Sequence, residues 1–131
     1  MIHVLSEQRC YDLLTATTVG RAGYVREGVV EIIPMNYAVS GHDLLLRTGS
    51  DGALSVLADA GATVSFEVDH LDSLGRAAWS VLMSGPLSRP APEEAAALVA
   101  RVSPWPGGER DVPLRFRITR MTGRAVKHES R

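Results

Sequence analysis

The chain has little that would place it in several common classes of small protein. Cys10 is its only cysteine, which excludes an intramolecular disulfide and a cysteine-cluster metal site. The formal net charge of -1 gives no electrostatic case for general nucleic-acid binding. No stretch without charges reaches the length of a membrane span, and the first residues lack the long apolar run of a signal peptide. We therefore expect a soluble, cytoplasmic protein.

Several signatures of catalysis and ligand binding are also missing. The sequence contains no nucleophile elbow, no P-loop and no glycine-rich dinucleotide fingerprint. The histidines are scattered without the spacing of metal ligands, so no metal site is predicted. Lys127 is the only lysine, and the other basic residues are arginines. Any anion site must therefore be built from arginines, hydroxyls and backbone amides.

What the chain does contain is a strand-rich pattern, within a length that suits a single domain over residues 1–131. Alternation and turn residues predict strands at about 19–25, 28–40, 43–48, 62–69, 76–87 and 112–126. Short helices are predicted at about 7–15, 50–60 and 92–102, the first with Ser6 as its N-cap. The turns at 27–28 and 40–42 are too short for parallel crossovers, so we expect antiparallel pairing. The fold class is mainly β, a six-stranded antiparallel barrel that removes exposed edges.

The strand 28–40 carries a proline, which has no backbone N–H and so belongs at a sheet edge or a bulge. Pro34 stands close to Asn36 and Tyr37, which offer an amide and a phenol. The pattern predicts an interrupted strand that turns its backbone toward a ligand. A bulge in a barrel wall without any ligand explains the same residues, and both interpretations stay open. A second bulge or kink is predicted at Gly85-Pro86.

The next strand ends in Arg47-Thr48, immediately before a predicted helix. A guanidinium, the hydroxyls of Thr48 and Ser50 and the free amides of a helix start suit a phosphate group. The alternative for Arg47 is an exposed strand charge, which is the usual position of an arginine. The two strands together predict a ligand site with a ring edge and a phosphate end.

Two tryptophans and a pair of carboxylates complete the candidates. Trp79 alternates with apolar residues, which predicts burial in the core or in an interface between subunits. Trp105 lies between two prolines in a loop and is a candidate lid or partner contact. Glu67 and Asp69 share one strand face, where a carboxylate pair can perform acid–base work. Pairing with arginines on neighbouring strands is the simpler interpretation.

A set of motifs also follows in a fixed order along nearly the whole chain. They are Val19-Gly-Arg-Ala22, Ile33-Pro-Met-Asn-Tyr37, Leu46-Arg-Thr48, Val64-Ser-Phe-Glu-Val-Asp69, Trp79-Ser-Val81 with Gly85, and Ile118-Thr-Arg-Met-Thr-Gly-Arg124. Together they resemble the pyridoxamine 5'-phosphate oxidase-like flavoproteins. The resemblance is closest to the branch of nitroimidazole-resistance-type and small actinobacterial flavin proteins.

The resemblance implies a split β-barrel and a homodimer with flavin mononucleotide (FMN) at the subunit interface. The residues that it implies for the edge of the flavin ring, largely through backbone atoms, are Pro34, Met35, Asn36 and Tyr37. Those that it implies near the phosphate are Arg47, Thr48 and Ser50. Those that it implies on segments meeting the cofactor or the partner are Trp79, Ser80, Trp105 and Arg124.

One segment departs from the family pattern. Relatives often place a lysine in the segment after the Arg-Thr motif, where it helps to hold the phosphate, but this chain has Ala53. Asp51 adds a negative charge, which is unfavourable beside a phosphate by about 1 kcal/mol. Arginines of the partner chain could replace the lysine, or FMN could bind weakly. A deazaflavin, which some actinobacterial relatives use, or no cofactor at all are the other possibilities.

The sequence thus predicts an FMN-dependent oxidoreductase that acts on a small redox-active organic substrate, with the chemistry supplied by the flavin. No side chain is identified as a catalytic residue, and the catalytic set is unknown. One alternative is a non-catalytic protein that binds or stores a flavin or deazaflavin. The other is a split barrel with a degenerate cofactor site. No nucleic-acid or membrane partner is expected.

Overall fold

The computed structural model describes residues 1–48, 52–101 and 112–127, so the predictions for Ser50, Asp51 and Trp105 lie outside the described residues. Within these ranges the chain forms eight strands and three helices. In chain order they are β1 (Ile2–Val4), α1 (Glu7–Leu14), β2 (Val19–Arg26), β3 (Val29–Ser40), β4 (Asp43–Thr48), α2 (Ala53–Asp59), β5 (Thr63–Leu71), β6 (Ala77–Ser88), α3 (Pro92–Arg101), β7 (Val112–Arg117) and β8 (Arg120–Lys127).

Six of these strands close into an antiparallel barrel. The order β6-β5-β2-β3-β4-β7 returns to β6 through the pairing of β6 with β7. β8 pairs with the first part of β6, and β1 pairs with the outer edge of β8. The barrel therefore carries a two-stranded extension on β6. The predicted fold, a mainly β six-stranded split barrel, is confirmed.

The predicted single strand 112–126 is wrong, because the chain changes neighbours in the middle of it. The N–H of Ile118 donates to the carbonyl of His42 at 2.9 Å, and the N–H of Thr119 donates to the carbonyl of Ser84 at 3.0 Å. These bonds separate β7 from β8. Ile118 is buried, so the alternation of apolar residues continues across the boundary between β7 and β8 and does not reveal it. The short strand β1 has exposed side chains throughout and carries no alternation that would predict it.

β3 runs unbroken through Pro34, so the predicted interruption of this strand is wrong. It pairs with β2 from Val29 to Asn36 and with β4 from Tyr37 to Ser40. The N–H of Tyr37 donates to the carbonyl of Thr18 at 2.9 Å. Counting back along the ladder from that bond places Pro34 in a pair that exchanges no hydrogen bonds. Pro34 therefore removes no bond from the ladder, and the predicted edge position is confirmed.

β6 also changes its neighbour, and Gly85 makes the change possible. β6 pairs with β8 through Ser84 and with β7 from Leu87, while its register with β5 continues through Gly85 and Pro86. The predicted bulge is therefore absent on the β5 side. A Cβ at residue 85 would lie 1.7 Å from the carbonyl oxygen of Arg117. Only glycine permits this close approach of two backbones.

An apolar cluster fills the barrel. The ring centroids of Phe66 and Phe116 are 6.1 Å apart, and those of Tyr37 and Phe66 are 5.6 Å apart in a T-shaped arrangement. α1 covers one end of this core. The hydroxyl of Ser6 accepts the N–H of Arg9 at 3.1 Å, which confirms the predicted N-cap. No helix in the described ranges is long and apolar enough to cross a membrane.

Candidate functional site

The segment 34–37, predicted as a ring edge, divides between the two faces of β3. Met35 and Tyr37 point into the barrel and are buried. Pro34 and Asn36 point outward, because side chains alternate along a strand. Only the outward pair and the backbone of this segment can therefore meet a ligand on the outside of the barrel.

The phenol of Tyr37 is held inside the barrel. Its hydroxyl donates to the carbonyl oxygen of Leu14 at 2.6 Å and lies 2.7 Å from the hydroxyl of Thr17. Burial raises the pKa of this phenol, and the hydrogen bond with Thr17 opposes the rise. The Tyr37 hydroxyl, which the sequence suggests as a ligand contact, instead bonds the end of α1 to the barrel.

Arg47 and Asn36 are neighbours on the outside of the barrel. Leu46 pairs with Tyr37, so Arg47 and Asn36 are the next residues along the two strands and share the outer face. Arg47 is half-buried. Thr48 points inward and is only 4% exposed. Of the two residues predicted at the phosphate end, Arg47 therefore lies beside Asn36 of the predicted ring edge, whereas Thr48 faces the interior.

A cation that the sequence does not suggest lies beside the substituted lysine position. Ala53 is the first residue of α2, and its N-cap Gly52 makes no side-chain hydrogen bond. Ala53 lines a groove of about 330 Å³ together with Arg26, Val56 and two further apolar residues. The guanidinium of Arg26 is 3.8 Å from the carboxylate of Glu31 and more than half exposed. Only the packing of the β2–β3 hairpin beside α2 reveals this arginine.

The other predicted residues, Trp79, Ser80 and Arg124, meet at a second groove on β6 and β8. Ser80 pairs with Arg124 across the ladder. Trp79 pairs with His70 on β5, and their ring centroids are 6.4 Å apart. All four residues line a groove of about 470 Å³. Trp79 is half-buried and packs against the core, so its predicted core position is confirmed in part.

A charged cluster lies between the two groups. Arg21 on β2 reaches Glu67 at 3.3 Å and Asp69 at 2.9 Å, which confirms the pairing of these carboxylates with an arginine on a neighbouring strand. Burial, together with the hydrogen bond and charge of Asp69, raises the pKa of Glu67 to about 7, and Arg21 opposes the rise. The Arg21 guanidinium thus forms ion pairs with two carboxylates on the outer face.

The two groups of predicted site residues do not meet within one chain. β5 and β2 lie between β6 and β3 in the sheet. Three spacings of about 4.8 Å separate those two strands by roughly 14 Å. Within residues 1–48, 52–101 and 112–127, no group of three or more side chains that could ligate a metal comes together.

A family model described as pyridoxamine 5'-phosphate oxidase matches residues 6–125. The chain belongs to this family. It is 29% identical over 132 residues to the uncharacterized protein Rv0080 of Mycobacterium tuberculosis, covering 97% of this chain and 87% of that protein. The resemblance that the motifs indicate is therefore confirmed.

Two solved structures share the fold of this family member. The FAD-binding protein from Mycobacterium smegmatis superimposes with a TM-score of 0.75 and 25% identity, over 97% of this chain and 100% of that chain. A FAD-binding protein from Mesorhizobium loti gives a TM-score of 0.79 and 22% identity, over 98% of each chain. The second likeness concerns the fold alone.

Proposed function

We propose that this chain binds a flavin on the outside of its barrel and acts as a flavin-dependent oxidoreductase on a small organic substrate. One observation carries the proposal. The family match over residues 6–125 coincides with a barrel whose predicted ring-edge and phosphate residues, Asn36 and Arg47, are outward-facing neighbours. The FAD-binding relative from Mycobacterium smegmatis supports a flavin as the ligand. A bound flavin would supply the transfer of electron pairs.

The open edge of β3 suits one side of a flavin ring. The ladder alternation directs the carbonyl of Pro34 away from β2, and Pro34 has no N–H of its own. The edge therefore offers an acceptor without a competing donor at that residue. The imide N–H of a flavin is a donor of matching character. The amide of Asn36, one residue before the pairing with β4 begins, adds a polar group on the same outer face.

Arg47 is the proposed phosphate ligand, because it neighbours Asn36 on the outer face. We expect Arg47→Ala to weaken flavin binding by more than about 1 kcal/mol, or more than fivefold, the scale of a charge-assisted hydrogen bond. Fluorescence titration with FMN measures the affinity. Arg89→Ala is the matched control, because Arg89 makes an exposed ion pair with Asp59 elsewhere on the molecule. Unchanged affinity in Arg47→Ala would remove Arg47 from the site.

Three flavin species are candidates for the bound ligand. The sequence resemblance favours FMN, and a deazaflavin is its alternative. The relative from Mycobacterium smegmatis is a FAD-binding protein, so FAD is a further candidate. Chromatography of the flavin released by heating the purified protein identifies the bound species. Competition between FMN and FAD for the empty protein then ranks the two affinities.

We also propose that the chain works as a homodimer in the cytoplasm. The separation of about 14 Å between β3 and β6 favours the dimer, since a second copy would place its own β6–β8 residues closer to the β3–β4 residues of the first. The β3–β4 residues of one copy would then meet the β6–β8 residues of the other.

A flavin-storage protein without catalysis is the second candidate. Tyr37 is the only titratable residue of the segment 34–37, and its hydroxyl is held by Leu14 inside the barrel. No side chain of that segment can therefore exchange a proton with a ring bound outside. Reduction by NADH or NADPH, followed by reoxidation with nitroaromatic and quinone acceptors, separates the two functions. Repeated turnover supports the oxidoreductase, and a bound flavin that does not turn over supports storage.

A further inference from the structure

We propose that a groove on the outer face of β2, β3 and β5 binds an organic cation that carries an apolar body. The groove has a volume of about 510 Å³ and lies where the β2–β3 hairpin extends past β5. It is called the hairpin groove below. The site needs no flavin and goes beyond the proposed function, which uses the edge of β3 that faces away from β2.

The walls of the hairpin groove are apolar side chains that remain exposed. Val25 on β2, Val30 and Ile32 on β3 and Leu82 on β6 line it, and they are between 52 and 69% exposed. Exposed apolar side chains that converge on one groove are typical of a ligand site. The volume also falls within the range of small-molecule sites, roughly 300–1,000 Å³. A ligand with an apolar body would therefore remove these side chains from water.

Gly23 keeps the floor of the hairpin groove open. It pairs with Ile32 on one side and with Ser65 on the other, and its chain neighbours Ala22 and Tyr24 are buried. A Cβ at residue 23 would therefore point outward, and it would meet only the Cβ of Ser65, at 4.0 Å. The surrounding chain thus tolerates a side chain at this position, and the lack of one leaves room for a ligand.

One end of the hairpin groove carries two carboxylates and one guanidinium. Arg21 forms ion pairs with Glu67 at 3.3 Å and with Asp69 at 2.9 Å. No other cation lies within ion-pair distance of either carboxylate in the described part of the chain. Burial and Asp69 raise the pKa of Glu67 to about 7 although Arg21 opposes the rise. One guanidinium therefore does not neutralise the pair, and this end favours a ligand that brings a positive charge.

The length of the hairpin groove defines the shape of the ligand. Val25 and Val30 pair at the hairpin end, and Arg21 lies four residues before Val25 on β2. A strand rises about 3.3 Å per residue, so the apolar end and the charged end are roughly 13 Å apart. An aromatic ring on a short alkyl chain that ends in an amine fits within this length. A carboxylate in place of the amine would face two like charges, so an anion of the same shape is disfavoured.

Calorimetric titration of the flavin-free protein at pH 8 with three probes of similar shape tests the charge preference. The probes are phenylbutylamine, phenylbutanol and phenylbutyrate, which carry a positive charge, no charge and a negative charge. We expect the amine to bind about fivefold more tightly than the alcohol, the scale of a partly exposed ion pair, and the carboxylate to bind most weakly. Equal affinity for all three probes, or no binding of the amine, would overturn the inference.

Two matched pairs of variants assign the binding to the hairpin groove. Glu67→Gln should reduce the affinity for the amine to that for the alcohol, whereas Glu31→Gln should not, because Glu31 lies on the other face of β3. Gly23→Leu should fill the groove and abolish binding of both probes. Thr122→Leu should not, because Thr122 on β8 does not line the groove. Unchanged binding of the amine in Gly23→Leu or in Glu67→Gln would also overturn the inference.

Two other occupants of the hairpin groove are distinguished by their own outcomes. Displacement of the amine by FMN would show that the groove belongs to the flavin site, which would overturn this inference and support the proposed function. A wild-type dimer that Gly23→Leu converts to a monomer in sedimentation analysis would mean that a second copy fills the groove, and would overturn it too. Binding of the amine by a protein that binds neither FMN nor FAD would support the hairpin groove and contradict the proposed function.

Discussion

The inner and outer faces of the barrel wall differ although the same strands build both. On β5 the inward residues Val64, Phe66 and Val68 are buried in one apolar cluster, whereas the outward Ser65, Glu67 and Asp69 carry polar groups. The inner face has one requirement, which is to fill the barrel without voids. The outer face carries the ion pairs, the grooves and the candidate site. Neighbouring residues on one strand can therefore be changed to affect stability or function separately.

The strongest test of this separation is a cavity at the centre of the inner face. Phe66 is fully buried and touches the rings of both Tyr37 and Phe116. We expect Phe66→Ala to lower the free energy of unfolding by about 3–5 kcal/mol, measured by urea denaturation. The folded fraction should still bind flavin. A loss below about 1 kcal/mol would show that the interior is not the single packed unit described above.

A smaller inner change sharpens the role of the buried phenol. Tyr37→Phe removes the hydroxyl that serves Leu14 and Thr17, and we expect a loss of about 1–2 kcal/mol in unfolding free energy. Flavin affinity should not change, because this hydroxyl faces the core. Tyr11→Phe is the matched control, since the Tyr11 hydroxyl bonds the exposed His42 at 2.8 Å and should matter much less. Loss of flavin binding without loss of stability in Tyr37→Phe would break the comparison.

On the outer face, one substitution should raise the stability of the folded chain instead of lowering it. The pKa of Glu67 is raised from its ordinary 4.5 to about 7 in the folded chain. The unfolded chain therefore loses this proton at lower pH, and folding becomes less favourable as pH rises from about 4.5 to 7. We expect Glu67→Gln to be more stable than the wild type at pH 8, by roughly 1 kcal/mol after screening by solvent. At pH 4.5 the gain should vanish.

Thermal unfolding at both pH values, at protein concentrations that keep the chain monomeric, measures this difference. Asp72→Asn is a suitable control, because the Asp72 carboxylate accepts the backbone N–H groups of Arg76 and Leu74, and these bonds lower its pKa although burial opposes them. That variant should lose stability at pH 8. A Glu67→Gln protein less stable than the wild type at pH 8 would mean that the ion pair with Arg21 outweighs burial.

The barrel could be predicted because inward-facing apolar residues recur at every second position along its strands. Val64, Phe66 and Val68 show it directly. The alternation of buried and exposed residues gives no signal where the backbone changes its strand partner but the side chains keep alternating. It also gives none where a strand buries no side chain. Ile118 continues the alternation through the break between β7 and β8, and β1 has no buried residue to mark it.

The candidate site was less predictable, because contacts on the outer face depend on which strands become neighbours. The sequence places Arg47 and Asn36 on separate strands, and only the register makes them adjacent. Arg26 is distant from Ala53 along the chain, so local spacing carries no signal for their shared groove. The phenol of Tyr37 was an attractive ligand group on residue type alone, but its position in the strand turns it inward.

Flavin binding on the outer face of the barrel is the property on which the proposed function depends. Equilibrium titration of the purified, flavin-free protein with FMN and with FAD, followed by quenching of flavin fluorescence, tests it most directly. We expect saturable binding of one flavin per chain that Arg47→Ala weakens and Arg89→Ala leaves unchanged. A protein that quenches neither flavin and stays colourless after incubation with both would contradict it.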